Sequence, residues 1–195
     1  MARRTRRILA GGLILAALGG GIAAWVVGSS PDWYERLRFP LRYERLVLGN
    51  ARTFDLDPAL IAAVIYAESR FHPDAVSDAG AIGLMQLLPE TGEWIAATTG
   101  GRRFDPDDLY DPTTNIRFGS YYLNVLLDKY DGNTRIALAA YHAGQTNADR
   151  WLKRGGKIGF RDTRAYVASV LDAVPVYRKA YGLTRLAAVG EASAP

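Results

Sequence analysis

The sequence predicts an all-α body carried behind one N-terminal membrane-spanning helix. Three observations lead there. An uncharged run over 8–30 follows a cluster of arginines, helix-boundary residues recur throughout the remainder, and no stretch alternates apolar and polar residues in the manner of a half-buried strand. At 195 residues, with 49% hydrophobic and 11% aromatic side chains, the chain has room for one folded domain plus an appendage, and 23% charged residues keep most of it compatible with water.

The N-terminal element comes first. Arg3, Arg4, Arg6 and Arg7 precede the apolar run, which is long enough for a bilayer core that needs about 20 residues. The basic cluster stays in the cytoplasm, so everything after the run is expected on the extracytoplasmic face, in the periplasm or cell-wall space. A buried soluble helix is a poor alternative, because the run has no polar face and several glycines that weaken helices in water. Gly21, Ala23 and Ala24 leave a cleavable signal peptide open, although the length of the run favours an uncleaved anchor. The expected organisation is an anchor over 1–30, a short aromatic and basic linker over 31–40, a single helical domain over 41–182 and a flexible tail over 183–195.

Within the domain, punctuation at Asp57-Pro58, His72-Pro73, Pro89, Gly100-Gly101, Asp105-Pro106, Asp111-Pro112, Asp131-Gly132 and Gly155-Gly156 marks helix boundaries. Pro is welcome in the first helical turn and Gly past the last. This spacing gives about six to eight helices of ordinary length. Composition removes several function classes. The absence of cysteine rules out disulfides, thiolate metal sites, a thiol nucleophile and lipid attachment through an N-terminal Cys. His72 and His142 are the only histidines and have no ligand cluster around them in sequence, so no metal or other cofactor is expected. The balance of 24 Lys+Arg against 20 Asp+Glu gives a net +4, part of it in the arginine cluster, and the dispersed remainder gives no reason to invoke nucleic acid.

One residue breaks its pattern. Asp57-Pro58 starts a helix whose apolar stripe is Ile61, Val64 and Ile65, and the next member of that series is Glu68. A carboxylate buried without a cation raises its pKa and holds its proton, which is what a general acid requires. Periodicity alone leaves open an ordinary helix-end glutamate that pairs with Arg70 or reaches solvent. Glycines and small residues follow at Ser77-Asp78-Ala79-Gly80-Ala81-Ile82-Gly83, where a backbone or a ligand can approach closely; a tight loop leading into the helix at Pro89 is the plain alternative.

Taken together, Glu68-Ser69, Ser77, the run from Gly80 through Gly83-Leu84-Met85-Gln86-Leu87-Leu88-Pro89, Ala139-Ala140-Tyr141-His142-Ala143-Gly144 and Thr163-Arg164-Ala165-Tyr166-Val167 resemble the soluble lytic transglycosylase family in order and spacing. The resemblance covers roughly 41–181. It implies a lysozyme-like, goose-type helical fold and cleavage of the MurNAc–GlcNAc β-1,4 bond of peptidoglycan, with a 1,6-anhydro-MurNAc product and no water consumed. By position, Glu68 is implied as the catalytic acid/base, with Ser77 and Gln86 holding the N-acetylated sugar. Gly83 and Met85 then shape the groove floor, Leu88 and Ala140 are further substrate contacts, Tyr141 reaches the same site from the helix opposite, and Tyr166 closes the wall near Glu68. Tyr141 and Tyr166 also fit helical apolar patterns, where tyrosine commonly belongs to the core.

Two positions depart from the family pattern. Leu88 replaces a common methionine at conserved volume, and His142 replaces a common asparagine with a group that titrates near neutrality. The implied partners are peptidoglycan strands and, through the anchor, the cytoplasmic membrane, with the chain as a monomer. Two alternatives remain on this reading: a hydrolytic muramidase of the goose-type kind, which shares the fold, and a wall-binding scaffold that does not turn over.

Overall fold

The helix boundaries expected from Asp-Pro and Gly positions are mostly those observed. A computed structural model of the chain describes residues 31–100 and 104–183 together with Gly20, Gly28 and Ser29. Apart from those three positions, the expected anchor run lies outside the described residues, as does the tail from 184. Among the described residues no helix is long and apolar enough to cross a membrane. All regular elements among them are helices, and β-structure amounts to the isolated antiparallel bridges Val76–Ile82 and Ile82–Leu87.

The chain divides into two compact units, one ending at Arg38 and one beginning at Phe39. The first contains α1 (Asp32–Arg38), within the segment read from sequence as a linker; Asp32 and Glu35 lie in its first turn and Arg36 and Arg38 in its last, matching the helix dipole. The second unit contains α2 (Glu44–Thr53), α3 (Pro58–Ser69), α4 (Pro89–Thr98), a 3-10 turn (Pro106–Tyr110), α5 (Pro112–Lys129), α6 (Thr134–Ala143), α7 (Gln145–Lys153) and α8 (Arg161–Tyr181).

Local chemistry explains most of these starts. The Asp57 side chain accepts from Ala59 N at 2.9 Å with Pro58 in the first turn, Asp111 caps Thr114 N at 2.8 Å ahead of Pro112, and Asn133 caps Ile136 N at 3.2 Å. Asp105 and Asp108 form a reciprocal capping box around the 3-10 turn. The break between α6 and α7 was not among the expected boundaries. It falls at Gly144, whose φ of 82° and ψ of 151° suit glycine and not an L side chain.

Helix α3 departs from the amphipathic stripe read from its sequence. Every residue from Pro58 through Ile65 is buried, so this helix has no polar face over its first two turns and sits inside the domain. It packs chiefly on α8 and also on α2, while α5, α6 and α7 build the other side. Ile61, Val64, Ile65, Phe71, Leu84, Met85, Ile116, Leu123, Leu138 and Tyr177 share one core. The entering strand of chain is tied down by α8: the Tyr177 hydroxyl donates to Pro40 O at 3.2 Å and the Tyr181 hydroxyl to Phe39 O at 3.0 Å.

Candidate active site

The site is assembled where the C-terminal end of α3 meets the loop that follows it. Arg70 and Phe71 turn the chain out of α3 through left-handed backbone, with φ of 50° and 62°. Ser69 then anchors the two segments together, its buried hydroxyl 2.8 Å from Leu84 O and 3.2 Å from its own helix at Ile65 O. Glu68 immediately precedes this anchor at the end of α3. It is half-buried, so it keeps access to solvent.

The loop is closed by its own polar groups. Ala81 N donates to Ser77 Oγ and Ser77 N to Ala81 O, both at 3.0 Å, while Ile82 and Leu87 exchange backbone bonds at 2.9 and 3.0 Å. Gln86 adopts φ of 49°, and its amide nitrogen donates to Ala75 O at 3.0 Å and Gly83 O at 2.9 Å.

Beneath the loop lies Asn115, fully buried in α5. Its oxygen accepts from Met85 N at 2.7 Å, and its nitrogen donates to Ile82 O at 2.9 Å and Leu109 O at 2.7 Å. Gly83 makes room for this amide: a Cβ there would lie 2.3 Å from Asn115 Nδ2 and 2.4 Å from Leu109 O. Gly119, one turn further along α5, does the same for Met85, whose sulfur would meet a Cβ at 2.4 Å. Sequence reasoning quoted Ser69 within the Glu68-Ser69 motif without giving it a role, and passed over Asn115 and Gly119. An Asn four residues after a capping Asp, in the first turn of the helix that Asp starts, is the signal that could have raised Asn115.

Two tyrosines flank the carboxyl. Tyr141 from α6 donates its hydroxyl to Met85 O at 2.8 Å, and Tyr166 from α8 is buried with a hydroxyl that closes no hydrogen bond of ordinary geometry. Both are held well above the usual phenol range, first by burial and then by the nearby charge of Glu68. In return, burial pushes Glu68 from 4.5 up to about 7, opposed by the facing Tyr166 hydroxyl. No neighbouring carboxylate contributes to that shift, and no ion pair engages Glu68 among the described residues. Arg70 is directed elsewhere: its guanidinium lies 4.6 Å over the Tyr66 ring and bonds the Tyr66 hydroxyl. A Glu68–Arg70 pair is thus not what forms.

The remaining candidates divide by exposure. Ser77, Gln86, Leu88 and Tyr141 are half-buried, whereas Gly83, Met85 and Ala140 are buried. His142 stacks on Tyr166, with ring centroids 4.5 Å apart and planes tilted by 31°, and its Nδ1 lies 3.2 Å from Thr163 Oγ1. Partial burial lowers its pKa from 6.5, against the opposing pull of Asp162, so the imidazole is neutral at pH 7. A cavity of about 740 Å3 between the start of α3, the end of α5 and α8, lined by Leu60, Asp128 and Arg178 among others, includes none of these residues.

The profile of the Transglycosylase SLT domain matches residues 45–163. The chain belongs to the SLT domain family. It is 32% identical over 177 residues to a soluble lytic murein transglycosylase of Salmonella typhimurium, covering 83% of this chain and 26% of that protein. A membrane-bound lytic murein transglycosylase C of Glaesserella parasuis is 43% identical over 112 residues, covering 53% of this chain and 31% of that protein. Among solved structures, the 70 kDa soluble lytic transglycosylase of Escherichia coli superposes with a TM-score of 0.73 at 30% identity, over 84% of this chain and 28% of that one. This SLT chain spans about a quarter of the length of the soluble relatives it matches.

Proposed function

We propose that this chain cleaves peptidoglycan glycan strands as a lytic transglycosylase, with Glu68 as its single acid/base. The observation that carries this reading is the Glu68 carboxyl, protonated up to about pH 7 by burial yet open to the cleft between two tyrosines. Ordinary glycosidases place a second carboxylate across the scissile bond, at roughly 5–9.5 Å from the first. Asp74 and Asp78 are exposed on the loop, and none adds to the Glu68 shift, so the one-carboxylate route fits better.

On that route Glu68 gives its proton to the oxygen bridging MurNAc and GlcNAc as the bond to MurNAc C1 breaks. The substrate's acetamido oxygen supports the positive charge that develops at C1. The Glu68 carboxylate then takes the proton of the MurNAc C6 hydroxyl while that oxygen bonds to C1. The products are a 1,6-anhydro-MurNAc end and a free GlcNAc hydroxyl, with Glu68 reprotonated and no water used. Ser77 and the Gln86 amide oxygen hold the N-acetylated sugar, Leu88 and Tyr141 border it, and Tyr166 faces the acid. Gly83, Met85 and Ala140 set the floor. The apolar run over 8–30 anchors the monomeric chain in the cytoplasmic membrane, with the domain on the extracytoplasmic face.

Digestion of purified sacculi with the full chain in detergent, followed by mass analysis, tests the chemistry. Anhydro ends, lighter than reducing MurNAc ends by one water, are the expected product. Reducing ends would mean a hydrolytic muramidase, and intact sacculi would mean a scaffold.

The pH profile follows from the same carboxyl. The active form carries the proton, so turnover is expected to be level on the acid side and to fall as pH rises through about 7. Because the Tyr166 hydroxyl opposes the upward shift, Tyr166→Phe moves this limb to higher pH, and an unmoved or lowered limb would show that Tyr166 does not act on Glu68. His142→Asn is expected to track the parent at neutral and alkaline pH and to separate from it only below 6.5, where His142 gains charge; identical rates at every acid pH would remove His142 from the site's titration.

A further inference from the structure

We propose that Trp94, backed by Tyr121 and Tyr122, is a stacking platform for a sugar ring of the glycan strand, displaced along the cleft from the bond that Glu68 addresses. The platform deepens the glycan-cleaving reading of the site and rests on it. Trp94 lies on α4, which begins directly after the Gln86 loop, and it is 43% exposed. Exposure of a single side chain is ordinary, so what singles out Trp94 is the set of aromatic rings that hold it.

The ring is nevertheless held in place. Its centroid lies 6.2 Å from Tyr121 with planes at 38°, and 6.1 Å from Tyr122 in an edge-to-face arrangement at 73°. Tyr122 in turn lies 5.4 Å from Tyr141, the tyrosine that bonds Met85 O and senses the charge of Glu68. Aromatic rings therefore run without interruption from the acid to the outer surface of α4. Attachment of α4 does not call for Trp94: Gly92, Ile95 and Ala96 supply its buried side, and a Cβ at Gly92 would lie 2.4 Å from the Phe104 ring.

The occupant follows from the chemistry of the surface and its continuity with the site. A pyranose has apolar C–H faces and a polar rim, and a rigid indole offers a flat amphipathic partner at little entropic cost. A strand whose scissile bond sits at Glu68 must continue in both directions. The aromatic path from Tyr141 through Tyr122 marks one of them, so the next sugars along the strand meet Trp94.

The test uses the full chain carrying Glu68→Gln, with chitohexaose as the probe and calorimetry as the readout, comparing Trp94 with Trp94→Phe and Trp94→Leu. Thermal melts establish that all three proteins are folded. The Leu variant keeps an apolar side chain but no flat face, and its affinity is expected to fall roughly three- to tenfold, with Phe recovering most of the loss. Equal affinity for Trp and Leu, or for Phe and Leu, overturns the platform and leaves Trp94 as packing. Absence of binding in all three overturns it too, and sacculus digestion by the parent then tells whether the cleavage reading falls with it.

Discussion

Glu68→Gln is expected to reduce glycan cleavage by about 10²–10⁴-fold while leaving the fold and chitohexaose binding in place. Glutamine matches the carboxyl in shape and can still meet Tyr166, but it has no proton to give the leaving oxygen and no charge with which to take one back. Product release from sacculi over hours is the measurement, and a residual rate within tenfold of the parent would mean that a different group is the acid. The same substitution has a second signature that does not involve substrate. Glu68 titrates near 7 in the folded chain against 4.5 when unfolded, so the folded state binds the proton more tightly. Its contribution to stability is therefore complete below 4.5 and is lost as pH rises to about 7. Glutamine carries no such loss. Relative to the parent, the variant should gain stability across that window, by up to about 3 kcal/mol, and stay level above it. Denaturant titrations at pH 4.5 and pH 8 that give the same difference between the two proteins would show that the Glu68 pKa is not raised.

Asn115→Leu is expected to cost about 3 kcal/mol or more, and to abolish cleavage at temperatures where the parent is active. Its three hydrogen bonds join α5 to Met85 N, Ile82 O and Leu109 O inside a fully buried space. An apolar replacement leaves Met85 N and Leu109 O without partners, at about 1–3 kcal/mol each, and removes the second of two bonds to Ile82 O, which keeps Leu87 N. Asn115→Asp should fare no better despite its size, because it turns a carboxylate oxygen towards two carbonyls. Urea melts of both variants check this, and a loss under about 1 kcal/mol in either would mean that the loop is held by other contacts.

The contrast between these two residues indicates what a sequence can disclose. A helix-period pattern marked Glu68 as a misplaced carboxylate but left an ordinary helix-end glutamate open until the family motifs were read, whereas the caps at Asp57, Asp111 and Asn133 work through bonds spanning two or three positions. The all-helical body follows from such local rules, and so does most of its punctuation. Asn115 was silent because its partners Ile82 and Met85 lie 33 and 30 positions away. The surroundings of α3 were misjudged for the same reason: one stripe looked apolar, whereas α2 and α8 cover its other sides. Ser77, Gln86, Tyr141 and Tyr166 were singled out through family motifs and not through physical pattern. Tyr141 and Tyr166 lie near enough to Glu68 to feel its charge, whereas Ser77 Oγ and the Gln86 amide nitrogen are engaged by the loop itself.

A helix sheathed by protein along its first two turns can expose its backbone only when the whole domain comes apart. Its amides should exchange with deuterium at the rate of global unfolding, and those around the Gly83 turn should exchange sooner. Glu68, the proposed proton donor, thus sits one turn beyond the segment of the domain that should be the last to yield, like a tool held in a fixed vice.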